Sequence, residues 1–252
     1  AVNLAPFGMI AQHGLPEDLK SFFILHEGAV AMANGELSEV DWDDIAEADV
    51  NSTWGRPAVV TEGVTEGWVG FTDHYWQAVL IPDAGETFEQ ALTYDPRADT
   101  YRAFTRQPTR SVAAGESVST SSKFFAGAKE WETLQDYQSS GVAKFIDSID
   151  WGWFFFLTKP IFWLLHELNK LIGNMGIAII AVLFPLAYKS YVSMARMKEL
   201  QPEMEKLKKE AGDDRQKMQQ GMMELYKKNK VNPAAGCLPI LLQIPIFFSL
   251  YK

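Results

Sequence analysis

Gln243 sits in the middle of an apolar run, Cys237–Leu250, that Pro239 and Pro245 interrupt. An amide in such surroundings can line a hydrated surface or bond to a neighbouring helix, and both readings stand. The two prolines either bend a helix or mark its start. Upstream, Met194, Met197, Met204, Leu207 and Ala211 fall near a three-four spacing, with Leu200 on the same side, and Met218, Met222 and Leu225 offer a second such face. Methionine supplies flexible, polarizable apolar surface, suited to a core or to variable partners. This is the chemistry of apolar contact, not of making bonds.

Bond-making machinery does not stand out. The four histidines (His13, His26, His74, His166) are scattered without ligand spacing, and one cysteine, Cys237, cannot form an internal disulfide. Asp41, Asp43 and Asp44 lie in an acidic segment, Glu36–Asp49, that lacks the glycine and terminal glutamate of a calcium loop, so a solvated acidic edge is expected. No phosphate loop of the G-x-x-x-x-G-K-[ST] kind is present, and no nucleophile–base pair stands out. No cofactor, no metal and no enzymatic reaction are expected.

Two kinds of element must position these residues. Residues 1 to about 146 read as mostly β, with strands at Trp68–Thr72, Ala78–Ile81 and Ser117–Phe125 and turns at Pro82–Gly85 and Ala113–Gly115. Trp42, Trp54, Trp68 and Trp76 are expected as core aromatics of a sandwich, with carbohydrate stacking as the alternative. Residues 188–230 read as a helical hairpin that turns at Gly212-Asp213-Asp214 and bends or breaks at Pro202.

Charge separates these regions. Residues 1–150 hold 9 Lys and Arg against 24 Asp and Glu, a net of −15, whereas residues 189–230 hold 11 against 7, a net of +4. Short cytoplasmic loops beside membrane spans are enriched in Lys and Arg, which puts the basic hairpin inside the cell and leaves the acidic domain outside. Between them, Trp151, Trp153 and Trp163 crowd together with Phe154, Phe155 and Phe156, as in an aromatic belt at headgroup level. The segment after Pro160 has an apolar face (Ile161, Leu164, Leu165, Leu168) and a polar one (His166, Glu167, Lys170). It reads as an amphipathic helix on the outer bilayer surface, or as one packed on the β domain. A span needs about 20 apolar residues. Neither Gly176–Leu186 nor Cys237–Leu250 reaches that, so both are expected to be pieces of longer spans.

Several stretches together resemble the YidC/Oxa-type family of membrane-protein insertases, in the Gram-negative form with a large periplasmic domain. They are Phe184-Pro185-Leu186 with Lys189-Ser190-Tyr191, Leu200-Gln201-Pro202, Gly212-Asp213-Asp214, Val231-Asn232-Pro233, Gly236-Cys237-Leu238-Pro239 and Gln243-Ile244-Pro245, with Asp150-Trp151-Gly152-Trp153 upstream. The resemblance implies an α+β membrane protein: a periplasmic β-supersandwich domain (1–146), then an aromatic linker and interfacial helix (147–175) anchored by Trp151, Trp153 and Trp163. A partial transmembrane span (176–188), a cytoplasmic helical hairpin (189–230) and the start of the next span (231–252) follow.

The implied function is insertion of nascent membrane proteins into the bacterial inner membrane through a hydrated groove, alone or with the Sec translocon. Expected partners are nascent chains, the translocon, the ribosome and membrane lipids, with no nucleic-acid contact apart from the ribosome. Gln243, Pro245 and Tyr251 are expected on the substrate path, and Met194, Arg196, Met197, Met218 and Met222 in hairpin recruitment. The alternative is a periplasmic carbohydrate- or peptide-binding module tethered to the membrane. One departure is plain: the family's groove cation belongs about a turn and a half before Pro185, where this chain has Ile179, Ile180 and Ala181. A stretch of roughly two helical turns carrying that cation is expected to be missing near Ala181–Val182.

Overall fold

The dipeptide Asn34-Gly35 closes a two-residue hairpin between β3 (Gly28–Ala33) and β4 (Glu36–Val40), with φ of 51° and 86°. Left-handed conformations at both turn residues match the twist of the flanking strands, and Asn-Gly tolerates them best. Asn34 also fastens a second loop: its Oδ1 accepts from the Thr65 backbone N–H at 2.9 Å, and its Nδ2 donates to Gly63 O at 3.2 Å.

The computed structural model describes residues 1–16, 26–152, 155–211 and 215–229, and the chain divides into two compact units, Ala1–Asp150 and Trp151–Lys252. In the first unit, one five-stranded sheet runs in the order β2 (Phe7–His13), β10 (Thr100–Arg106), β9 (Phe88–Asp95), β6 (Arg56–Val64), β5 (Val50–Asn51). The other runs β12 (Ser122–Ala128), β8 (Trp76–Pro82), β7 (Gly67–Thr72), β3, β4. A short ladder joins β1 (Val2–Leu4) to β11 (Arg110–Val112). The described pairings are antiparallel.

Period-two alternation sorts the side chains. Ala29, Ala31, Val69 and Phe71 from one sheet meet Leu92, Tyr101 and Ala103 from the other. The short helix α1 (Trp42–Ala46) closes this core, with Trp42 stacked 5.1 Å from Phe71 and edge-on to Tyr101 at 4.9 Å. A third layer, helix α2 (Trp131–Ser139) and the 3-10 turn Phe145–Ser148, brings Phe145 edge-on to Trp68 at 5.6 Å and to Phe125 at 5.4 Å. The Trp68 indole donates to Ala143 O at 2.9 Å, so the ring is buried with its polar tip satisfied.

The structure corrects two expectations here. Strand β12 starts at Ser122, not Ser117, because Pro82–Gly85 turns β8 away and leaves residues 117–121 unpaired. Of the four tryptophans expected in the core, Trp42 and Trp68 are buried, Trp54 is half-buried and Trp76 is 60% exposed at the first position of β8. The acidic residues of Glu36–Asp49 point to solvent while Val40, Trp42 and Ile45 turn inward.

The second unit is helical: α3 (Phe155–Ile172), α4 (Met175–Ala211) and α5 (Arg215–Lys228). Helix α3 starts a turn before Pro160, and α4 continues through both Pro185 and Pro202. At Pro202, where a bend or a break is expected, the helix stays continuous. A proline removes one backbone bond and crowds the preceding turn; here Leu200 is buried and Met204 meets α5, so packing on both sides of Pro202 supports the helix. Residues 212–214, the expected turn, lie outside the described residues.

Candidate functional site

Helices α4 and α5 lie against each other where Gly221 faces Leu207. A Cβ on Gly221 would lie 2.8 Å from both Leu207 methyl carbons. One turn further, the Tyr226 hydroxyl points at Met204 Sδ, 3.9 Å away. Leu207 lies seven residues after Leu200 and three after Met204, so these three share the α4 face that meets α5. Met218 and Met222 are half-buried on α5. Met194 and Arg196 are exposed, and Met197 is half-buried. The contact therefore takes Met204, which the spacing placed in the stripe, and leaves Met194 accessible.

The other end of α4 carries a different surface. Ile177, Ile180, Phe184, Tyr188 and Tyr191 follow one another at intervals of three and four and are 52–69% exposed, with Phe184 and Tyr188 stacked at 6.3 Å. By length and composition Met175–Glu199 suffices to cross a membrane, and only 12% of this apolar stretch is buried within the chain. Its 25 residues rise about 37 Å, against a hydrocarbon core of about 30 Å. The helix runs on past Pro185, beyond the Gly176–Leu186 run. Helix α4 passes Ala181–Val182 without interruption, and Ile180 is exposed. Lys189 is exposed on the same helix.

Helix α3 packs on α4 and buries Leu165. Its Thr158 hydroxyl donates to Trp151 O at 3.2 Å, and Lys159 Nζ lies 5.8 Å from the ring centres of both Trp151 and Phe155. Trp151 is buried beneath this group, with Phe162 edge-on at 5.5 Å. Trp163, Phe155 and Phe156 are all more than half exposed. Trp153 lies outside the described residues, as do Gln243, Pro245 and Tyr251.

The β unit has its own polar network. Asp95 receives Arg56 at 2.9 Å and Arg102 at 3.3 Å; Glu89 receives Arg106 at 2.7 Å and the Trp54 indole at 3.2 Å. Burial pushes the Asp95 carboxyl up, but the Arg97 N–H, the Arg102 and Arg56 guanidinium groups and the Ala98 N–H together hold it below the ordinary aspartate value. The hydrogen bond to Asp99, with burial behind it, raises Tyr94, and burial, followed by Tyr94 and then Asp99 and Asp43, raises Tyr101. The first shift belongs to a structural ion-pair network, the other two to a hydrogen bond and to burial. A cleft of about 40 Å³ bounded by Glu66, Gly67, Asp83, Lys123 and Gly141 is far smaller than the several hundred Å³ of an ordinary ligand site, and none of the described residues lining it is aromatic. The carbohydrate-binding alternative finds no support there. No cluster of three metal-ligating side chains occurs among the described residues.

A β sandwich followed by a helix long and apolar enough to cross a membrane, little of it buried among the described residues, points to a membrane protein with an extramembrane β domain. Comparison with known families specifies it: the YidC periplasmic domain matches residues 1–164, and the 60Kd inner membrane protein family matches residues 167–252. The chain belongs to the YidC family, and its location is the inner membrane. It is 68% identical over 258 aligned positions to the membrane protein insertase YidC of Roseobacter denitrificans and 63% identical over 263 to that of Ruegeria pomeroyi, each alignment covering all of this chain and 43% of the relative. The Jannaschia sp. protein of the same name is 58% identical and is covered to 44%. The chain thus spans a little over two-fifths of the length of these relatives.

Proposed function

We propose that the chain is part of a membrane-protein insertase, with residues 1–146 in the periplasm and the hairpin 189–230 in the cytoplasm. The observation that carries this reading is the uncovered apolar stretch of α4, attached to a β domain of the YidC family. Burying each large side chain of the Ile177–Tyr191 stripe is worth about 2 kcal/mol, a gain the chain forgoes unless lipid or another helix covers them. The curated relatives bear the name membrane protein insertase.

The mechanism follows from solvation. A polar segment crossing hydrocarbon faces a desolvation cost, and its unsatisfied backbone adds more. A hydrated, protein-lined groove shortens the apolar path, and the insertion needs no nucleotide or covalent step. In this arrangement Gln243, Pro245 and Tyr251 lie along the substrate path, the exposed Met194 and Arg196 with the half-buried Met197, Met218 and Met222 receive the nascent chain, and Trp151, Trp153 and Trp163 anchor the interface. Sec translocon, ribosome and lipid are its partners in the same reading.

The test is reconstitution. Full-length protein in liposomes should insert a small single-span substrate without nucleotide, and deleting most of residues 1–140 should reduce insertion little. Insertion no better than in empty liposomes would sink the reading. A loss confined to the deletion would favour the tethered binding module.

A further inference from the structure

Acceptors face both ring nitrogens of His26. Its Nε2 lies 2.9 Å from Ala29 O, and its Nδ1 lies 3.2 Å from the Asp41 carboxylate. A carbonyl oxygen only accepts, so Nε2 carries a proton; an ionised carboxylate also only accepts, so Nδ1 carries one too. A ring that donates on both sides is an imidazolium. The side chain is 9% exposed and well held. The His26 backbone N–H donates to Asp150 Oδ2 at 3.0 Å, and Gly28 gives the ring room, since a Cβ there would lie 2.9 Å from His26 Cε1. The charged groups around it are Asp41 ahead of α1, Asp150 at the end of the β unit, and Glu27, whose carboxylate lies 3.7 Å from His74 Nδ1 in the β7–β8 turn.

Asp41 has a second use. It is the N-cap residue of α1, with the extended backbone (φ −68°, ψ 156°) from which an aspartate accepts from the second or third helical N–H. Those amides belong to Asp43 and Asp44, and the Asp41 side chain caps neither. It is 74% exposed, with room to turn. We propose that His26 and the Asp43 and Asp44 amides compete for the Asp41 carboxylate, and that the proton on His26 Nδ1 decides between them. With the ring doubly protonated, Asp41 is drawn away from the helix start. When Nδ1 gives its proton to water, its lone pair repels the carboxylate, which turns to cap α1. The bonds from His26 N–H to Asp150 and from Nε2 to Ala29 O need no second proton, so the ring stays in place while the carboxylate moves. Helix α1 carries Trp42, which closes the sandwich core on Phe71 and Tyr101, so the cap acts on the element that seals it. In the periplasm, where the proposed function places this domain, the proton concentration follows the medium, and a histidine is suited to respond to it.

Hydrogen exchange at the Asp43 and Asp44 amides reads the cap, on the full-length protein in detergent and with rates corrected for their intrinsic pH dependence. Between about pH 5 and 8, protection of these amides should rise with pH as the ring loses its proton. The gain of one cap makes the rise about 5-fold. His26→Gln is neutral throughout and should give protection that does not change with pH. Asp41→Asn keeps the capping oxygen without the charge that the imidazolium attracts, and should give protection that is high at every pH. Protection in the parent that is flat over this range would overturn the proposal. So would a rise that persists in His26→Gln and disappears in His74→Gln, which assigns the response to the Glu27–His74 pair. Each outcome is read on the β domain itself, and none depends on whether the protein inserts a substrate.

Discussion

Gly221 of α5 approaches Leu207 of α4 so closely that even a methyl group in its place would press on both leucine methyls, at 2.8 Å. The glycine costs about 1 kcal/mol of helix propensity relative to alanine, so close approach is what it contributes. Because Leu207 is flexible, Gly221→Ala should be tolerated, the propensity gain offsetting a small displacement. Gly221→Val should separate the helices by a side-chain layer and move Tyr226 away from Met204. A short bifunctional cross-linker between cysteines at 204 and 226, in a Cys237→Ser background, should capture the parent efficiently and the valine variant poorly. Equal capture in both would show that Gly221 does not set the spacing.

A second close approach fixes the β domain. A Cβ at Gly70 of β7 would sit 1.9 Å from Ala78 O of β8, and backbone cannot yield as a side chain does. Gly70→Ala is therefore expected to cost about 3 kcal/mol or more, at the upper end of ordinary overpacking. Trp68→Ala, which empties the ring site under Phe145 and orphans Ala143 O, should cost about 3–5 kcal/mol. Denaturant midpoints of the periplasmic transition measure both, and an unchanged midpoint for Gly70→Ala would contradict the register of β7 on β8.

Much of this architecture was legible from residue patterns. Trp68–Thr72 and Ala78–Ile81 lie within β7 and β8 because buried central strands read as apolar runs between turn signals. Asn34-Gly35 is as strong a hairpin signal as any dipeptide carries, and the acidic residues that follow it say nothing about the turn. Trp76 misled because tryptophan is large enough to sit at a strand end with most of its ring in solvent, and composition says nothing about which end of a strand is covered. Pro202 is a local helix breaker, and the packing of α4 on α5 that carries the helix through it is long-range. The accessible Met194 and the packed Met204 share a spacing, and only the position of α5 separates them.

Asp95 should limit stability at low pH. Its folded-state carboxyl lies below the ordinary 3.8, so the stabilisation is present above that value and is lost as pH falls through the lower folded value. Tyr101 acts on the alkaline side: its hydroxyl is raised above 10.0, so its contribution is intact below 10 and fades as pH rises through the folded value. Asp95→Asn should flatten the acid limb of the melting-temperature profile and leave the alkaline limb alone, with Tyr101→Phe doing the reverse. Coincident profiles for parent and Asp95→Asn would show that the Arg56 and Arg102 pairs contribute no net stability, as many partly exposed pairs do not.

The region around Ala181–Val182 carries the sharpest consequence for mechanism. An intramembrane cation attracts acidic residues of a crossing segment and is functional by default, yet the positions a turn and a half before Pro185 are Ile179, Ile180 and Ala181. The alignment to the Roseobacter relative runs over 258 positions against 252 residues, so the relative has at least six positions without a counterpart here. Inserting about seven residues into α4 adds two helical turns, which preserves the phase between Ile177, Ile180 and the stripe beyond them. Peptide mass mapping across Gly176–Lys189, on protein from its natural source, should reveal such a stretch with an Arg or Lys in it. Replacing that cation with alanine should then reduce insertion most for substrates with acidic translocated segments. A peptide mass matching a direct Ala181–Val182 bond would leave α4 without an added cation, and any attraction for acidic segments would have to come from the cations further along it, Lys189, Arg196 and Lys198.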